Sequence, residues 1–114
     1  MDNTYCLPGG KPQDHESLHN AIKRELEEKI NIIVDSQSIT LAHVMHIRRL
    51  SQDCVVFFFV ITSWQGDPIN RETTKYSKLD WYFSDQLPPS LMSGHRQAIE
   101  YISKCIAHSE PTLL

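Results

Sequence analysis

Residues 10–28 read GKPQDHESLHNAIKRELEE and bring Gly10, Glu16, Arg24, Glu25 and Glu28 into one short run. Glu25 and Glu28, three residues apart, project from one helical face. Paired carboxylates suit a hard, oxygen-seeking ion such as Mg²⁺, which typically bridges protein carboxylates, water and substrate phosphates. Such an ion neutralises charge on a diphosphate and lowers the pKa of a bound water. Arg24 offers a planar donor fork that can hold one glutamate in place. A turn ending in Gly9 and Gly10 lets backbone come close to a phosphate or a metal. On an exposed helix face a carboxylate does little for packing, so Glu25 is expected to be replaceable without loss of the fold.

The same run contains HESLH (15–19), which matches the zinc-protease pattern H-E-x-x-H letter for letter. That chemistry needs both histidines on one regular helix, with their rings converging on the metal, and a third ligand. His15 comes only five residues after Gly10, at or before the start of the helix, and no obvious third ligand follows. The pattern is read as incidental.

The elements that must position these residues follow from periodicity. TYCLPGG (4–10) reads as a short strand entering a turn. Residues 17–30 are helical: Leu18, Ala21, Ile22, Glu25 and Lys29 recur at three and four, and Leu26 and Ile30 extend the apolar stripe. Asn31 tolerates the left-handed geometry that closes a helix. SITLAHVMHIRRL (38–50) alternates as a strand, with Ile39, Leu41, His43, Met45 and Ile47 on one face. CVVFFFVITSW (54–64) is apolar on both faces and predicts a central, doubly covered strand, joined to the previous one by a tight hairpin at SQD (51–53). QGDPINRETTKYS (65–77) is loop-like, KLDWYF (78–83) predicts a further strand, and LPPS (87–90) is a breaker. GHRQAIEYISKCIAH (94–108) predicts a closing helix with Ala98, Ile99, Ile102, Cys105 and Ile106 inward. The alternation of strands and helices predicts a mixed sheet with helices packed against it.

Composition bounds the rest. The chain has 114 residues and a formal charge of −3, enough for one domain with one core. This balance gives no footprint for a nucleic-acid backbone, so an anionic ligand needs a local cation. Three well-separated cysteines, Cys6, Cys54 and Cys105, fit a reducing cytoplasm better than a disulfide scaffold. The longest apolar run, CVVFFFVI, is too short to span a bilayer, and the first residues lack the regions of a signal peptide.

Extended to residues 10–32, the opening run resembles the Nudix box, G-x5-E-x7-R-E-U-x-E-E-x-G-U, where U is a bulky aliphatic residue. Gly10, Glu16, Arg24, Glu25, Leu26, Glu28 and Ile32 match, while Lys29 and Asn31 depart from it. Taken alone, RELEEK is ordinary surface-helix composition, with Glu25 and Lys29 as an i,i+4 pair. The matches at fixed spacing, with LPGG before them, favour the resemblance. It continues through Glu72, Lys75, Trp81 and Tyr82, which follow the order of an E-x-x-K loop and a W-[FY] strand in that family.

The resemblance implies a single Nudix-type α/β/α sandwich over residues 1–114, with a mixed sheet and without the usual N-terminal hairpin, so that a sheet edge is open. It implies a cytoplasmic hydrolase that uses Mg²⁺ (or Mn²⁺) to cleave the diphosphate of a small nucleotide, with no nucleic-acid or membrane partner. Glu25 and Glu28 would be the metal ligands, and one of them or Glu72 would activate water. Arg24 and Glu16 would support the helix and loop, and the backbone of Gly9 and Gly10 would line the phosphate site. Lys29 stands where the family carries a ligating glutamate. An ammonium cannot coordinate Mg²⁺, so Lys29 is expected to act as a counter-ion to the glutamates and to weaken metal binding and activity. The alternative reading is a Nudix fold that has lost catalysis and binds a nucleotide or a protein. Self-association as a homodimer is expected from the open edge beside CVVFFFVI. His43 and His46, three apart on a strand, face opposite sides and form no metal pair. Trp64, Trp81, Tyr82 and Phe83 could include a base-stacking platform, but read mostly as core.

Overall fold

Ser17 starts the first helix. Its backbone is extended and its Oγ accepts from the Asn20 N–H at 3.1 Å, satisfying one orphan donor of helix α1 (Leu18–Ile30). Asn31 ends the helix in the left-handed conformation (φ 64°), with its N–H returning to the Glu27 carbonyl at 3.2 Å. The computed structural model describes residues 4–48 and 50–111. A short 3-10 turn (Ser36–Ser38), capped by the Asp35 side chain, leads into β1 (Ile39–Ile47). Then come β2 (Cys54–Ile61), α2 (Ser93–Ser103) and a two-residue β3 (His108–Ser109).

The sheet order is β2-β1-β3, with β1 antiparallel to β2 and parallel to β3. This is the mixed α/β arrangement expected. A bulge in β1 organises the layers: Leu41 pairs with Phe59 and His43 with Phe58, so Ala42 has no partner across the ladder. The extra residue reverses which side of the sheet each later residue addresses. Ile39 therefore packs with Leu26, Ile32, Val34, Phe59 and Ile61 in the cluster under α1. Met45 and Ile47 pack with Phe58, Ala98, Val56 and Ile102 in the cluster under α2. Adjacent residues of β2, Phe58 and Phe59, thus serve opposite layers.

Several expectations are corrected. Ile39, Leu41, His43, Met45 and Ile47 do not share one face: the bulge divides them, and Leu41 is exposed. The expected strand 38–50 ends at Ile47, and its Arg49 lies outside the described residues. Among the described residues β2 pairs only with β1, so it is an edge strand rather than a central one, and Val55 and Phe57 are exposed. TYCLPGG makes a single bridge, Tyr5 to Leu91, instead of a strand. KLDWYF is irregular because no neighbouring strand meets it among the described residues, and Trp81 and Phe83 are 73% and 76% exposed rather than core. Trp64 stacks on Trp81 at the surface. Helix α2 stops at Ser103, before Cys105 takes a left-handed conformation, which leaves Cys105 and Ile106 exposed.

His43 is fully buried between β1 and α2. Nδ1 lies 2.7 Å from the Ile106 carbonyl and Nε2 lies 2.7 Å from Ser109 Oγ, while the ring stacks on Tyr101. It pins β3 to β1 as a hydrogen-bonded sheet histidine. His46 faces outward near Asp53 and Glu110.

Candidate active site

Arg24 is the hub of the site. Its Nε and Nη2 grip the two oxygens of Glu16 at 2.8 and 3.0 Å, its Nη1 reaches Glu25 Oε1 at 2.9 Å and Glu28 Oε2 at 3.4 Å, and Nη2 also donates to the Lys11 carbonyl. Bidentate guanidinium–carboxylate pairing fixes direction as well as distance. The Arg24 hydrogen bonds, with help from the Gln13 N–H, hold the Glu16 carboxyl down to about 2. The same pairing raises Arg24 above the ordinary arginine range. Glu16 thus ties the turn before the helix to the helix itself.

Glu25 is buried, against the expectation of an exposed face, because the Gly9–Gly10 turn folds across it. A Cβ on Gly10 would lie 2.4 Å from the Glu25 Cδ. The glycine is needed there for close approach, not for unusual torsions. Glu25 Oε2 is buried and has no well-directed hydrogen bond, although Lys29 Nζ stands 2.8 Å away as an ion-pair partner. Lys29 Nζ also donates to the Gly9 carbonyl at 2.6 Å and lies 3.9 Å from Glu72 Oε1. Burial opposes the charge on Lys29, but the adjacent Glu25 carboxylate, with Glu72 beyond, outweighs it and raises its pKa.

Glu72 reaches this point through a dock that has no local signature in the residue pattern. The Ile69 N–H donates to Ile30 O and the Arg71 N–H to Lys29 O, both near 3 Å, while Arg71 Nη1 donates to Glu27 O. Arg71 Nη2 also donates to Asn31 Oδ1. The loop therefore satisfies the open carbonyls at the end of α1 and turns Glu72 toward Lys29. Arg71 was not singled out, since nothing in its spacing marks a helix-end contact. His95 was also missed: its Nδ1 accepts from the Leu7 N–H at 3.0 Å, anchoring the approach to Gly9, and burial lowers its pKa.

The structure brings Gly9, Glu25 and Glu72 together around Lys29, while Arg24 links Glu25 to Glu16 and Gly10 packs against the Glu25 carboxylate. Glu28 stands apart, 61% exposed, on the solvent side of Arg24. HESLH makes no metal site: His15 lies before the helix at φ 63°, and the His19 ring packs edge-on to Phe59. Among the described residues no three or more His, Cys, Asp or Glu side chains are placed to hold a metal ion. The oxygens that do converge are Glu25 Oε2, Glu72 Oε1 and the Gly9 carbonyl. This all-oxygen set, with one buried carboxylate oxygen lacking a well-directed donor, fits a hard divalent ion of the kind held by one or two carboxylates plus substrate phosphates. A pocket opens onto it, lined by Leu7, Ile30, Tyr76 and Leu79 together with Lys29 and Lys78.

The sequence model of the NUDIX domain matches residues 2–102. The 8-oxo-dGTP diphosphatase of Buchnera aphidicola (subspecies Acyrthosiphon pisum) is 32% identical over 74 residues, covering 65% of this chain and 58% of the relative. That of Haemophilus influenzae is 31% identical over 86 residues, covering 74% and 62%. That of Escherichia coli K12 is 26% identical over 92 residues, covering 79% and 70%. The chain spans about three fifths of the length of the first two of these relatives. Among solved structures, the MutT NUDIX hydrolase from Burkholderia pseudomallei superposes with a TM-score of 0.77 at 28% identity, covering 85% of this chain and 75% of that one.

Proposed function

The chain belongs to the Nudix family, and we propose that it hydrolyses the diphosphate linkage of a nucleoside triphosphate or a nucleoside diphosphate derivative with Mg²⁺ or Mn²⁺. Nudix hydrolases generally use divalent metal ions. One observation carries the reading: buried Glu25 Oε2, the Gly9 carbonyl and Glu72 Oε1 are aimed at one point beside an open pocket.

In this reading water attacks phosphorus and the bond to the bridging oxygen breaks. A triphosphate gives a nucleoside monophosphate and pyrophosphate, and a derivative gives the monophosphate and the phosphorylated remainder. Glu25, Glu72 and the Gly9 carbonyl would hold the ion, with Glu28 available from the solvent side. When bound, the ion supplies charge neutralisation on the phosphates and a more acidic water. The chain's own residues do the rest. Arg24 fixes the direction of Glu25, Gly10 leaves room for it, and Glu72 or a box glutamate accepts the proton of the attacking water. Leu7, Ile30, Tyr76 and Leu79 receive the less polar part of the ligand. The three cysteines are free, which suits a reducing cytoplasm.

The test is product analysis over a nucleotide panel that includes 8-oxo-dGTP, dGTP and nucleoside diphosphate derivatives, with and without Mg²⁺ or Mn²⁺. Metal-dependent release of a nucleoside monophosphate supports the reading. A panel with no turnover defeats it. Binding without turnover would favour the second reading, a nucleotide-binding module, which the placement of Lys29 among the converging oxygens supports.

A further inference from the structure

We propose that Lys29 is a tethered cation that fills the divalent-ion position of the free protein and must swing out before a metal enters. Its Nζ is 2.6 Å from the Gly9 carbonyl, 2.8 Å from Glu25 Oε2 and 3.9 Å from Glu72 Oε1. These oxygens come from three separate segments, the glycine turn, α1 and the 67–76 loop, and the ammonium is where they meet. A divalent ion on the same oxygens would stand at contact distance from a positive charge, so the two occupants exclude one another. Arg24 is not the group that moves, because Glu16 holds it by two bonds and Lys11 by a third.

Lys29 can move. Its stem is a flexible four-carbon chain, and it lies at the pocket wall with an ammonium that carries three donors. An anionic phosphate in the pocket offers that ammonium a partner outside the oxygen cage. Its departure frees Glu25 Oε2 and the Gly9 carbonyl. Metal entry is then coupled to the arrival of phosphate, and the coupling is reciprocal. This second half rests on the proposed reading of the pocket as a phosphate site. The exclusion of metal by Lys29 in the free protein does not.

The experiment is titration of the free protein with Mn²⁺ alone, read by the electron paramagnetic resonance signal of unbound Mn²⁺, for the wild type and Lys29→Met, which keeps the stem and removes the charge. The expected result is that Lys29→Met binds Mn²⁺ at least tenfold more tightly. Lys29→Gln serves as a second neutral variant, and circular dichroism establishes that each is folded. In the wild type, the Lys29 side-chain resonance should stay in place as Mg²⁺ is added alone and shift when a non-hydrolysable nucleotide is added with it. Folded neutral variants with wild-type Mn²⁺ affinity overturn the proposal. So does a wild type that binds Mg²⁺ with the Lys29 resonance unmoved. If the neutral variants gain the ion while no nucleotide is hydrolysed, the hydrolase reading fails and the tethered cation stands. If nucleotides are hydrolysed and the variants gain nothing, the reverse holds.

Discussion

At Gly10 the space for one carbon atom decides how Glu25 is held. With a Cβ 2.4 Å from the Glu25 carboxylate, Gly10→Ala must push either the turn or the carboxylate away. Overpacking of this kind costs about 1–3 kcal/mol, and turnover should fall at least tenfold, as denaturant melts and steady-state assays will show. With Glu25 holding the ion as proposed, Glu25→Gln should cut turnover by about a hundredfold or more. Because Glu25 is buried between Arg24 and Lys29, that variant should also melt earlier, which the sequence reading of an exposed carboxylate did not foresee. Glu16 sets an acid limit. Its carboxyl is held at about 2 in the fold against an ordinary 4.5, so the unfolded chain takes up the proton first. The stabilisation is complete above about 4.5 and is lost as pH falls toward about 2. Glu16→Gln should flatten the acid side of a melting-temperature profile in that window, and an unchanged acid limb would separate Glu16 from it. That Arg24 holds a glutamate was legible from its donor fork beside Glu25 on one helix, whereas Glu16 entered only through the resemblance to the Nudix box. The burial of Glu25 was not legible, because it depends on a turn folding over the helix from outside.

The helix α1 and the 67–76 loop act as one positioning unit. Arg71 donates to Glu27 O and Asn31 Oδ1 at the helix end, so Arg71→Ala should free the loop and let Glu72 drift from the oxygen cluster. The expected outcome is a severalfold or larger fall in turnover with helical content preserved, and faster amide exchange confined to the loop. Periodicity made α1, β1, β2 and most of α2 legible, and Asn31 marked the C-terminal end of α1 directly. KLDWYF alternated like a strand, yet alternation describes only the side chains. A strand also needs a neighbour for its backbone, and that information is not local. The two-residue β3 is too short to leave a pattern, and its attachment depends on His43 reaching Ser109 across the fold.

For the whole molecule, the outer side of β2 is the exposed feature. Among the described residues it has no ladder partner, and Val55 and Phe57 are 51% and 40% exposed. Unpaired apolar edges promote association, so sedimentation should shift with concentration over roughly 10–100 µM, the range in which such surfaces meet. Phe57→Lys should weaken that shift, and a concentration-independent monomer would exclude the edge as a contact. Inside, two apolar clusters on opposite layers share β1 and β2, and Ala42 is the residue at which β1 passes from one layer to the other. The chain therefore carries one residue more here than its ladder uses. Exchanging Ala42 for another small side chain keeps the bulge. Losing its codon in frame would join Leu41 directly to His43 opposite the consecutive Phe59 and Phe58, and so leave His43, Met45 and Ile47 in the layer they already occupy. In a library carrying both kinds of change, position 42 should accept omission as well as many letters, and a position 42 that rejects omission would show that the bend of the bulge itself is needed.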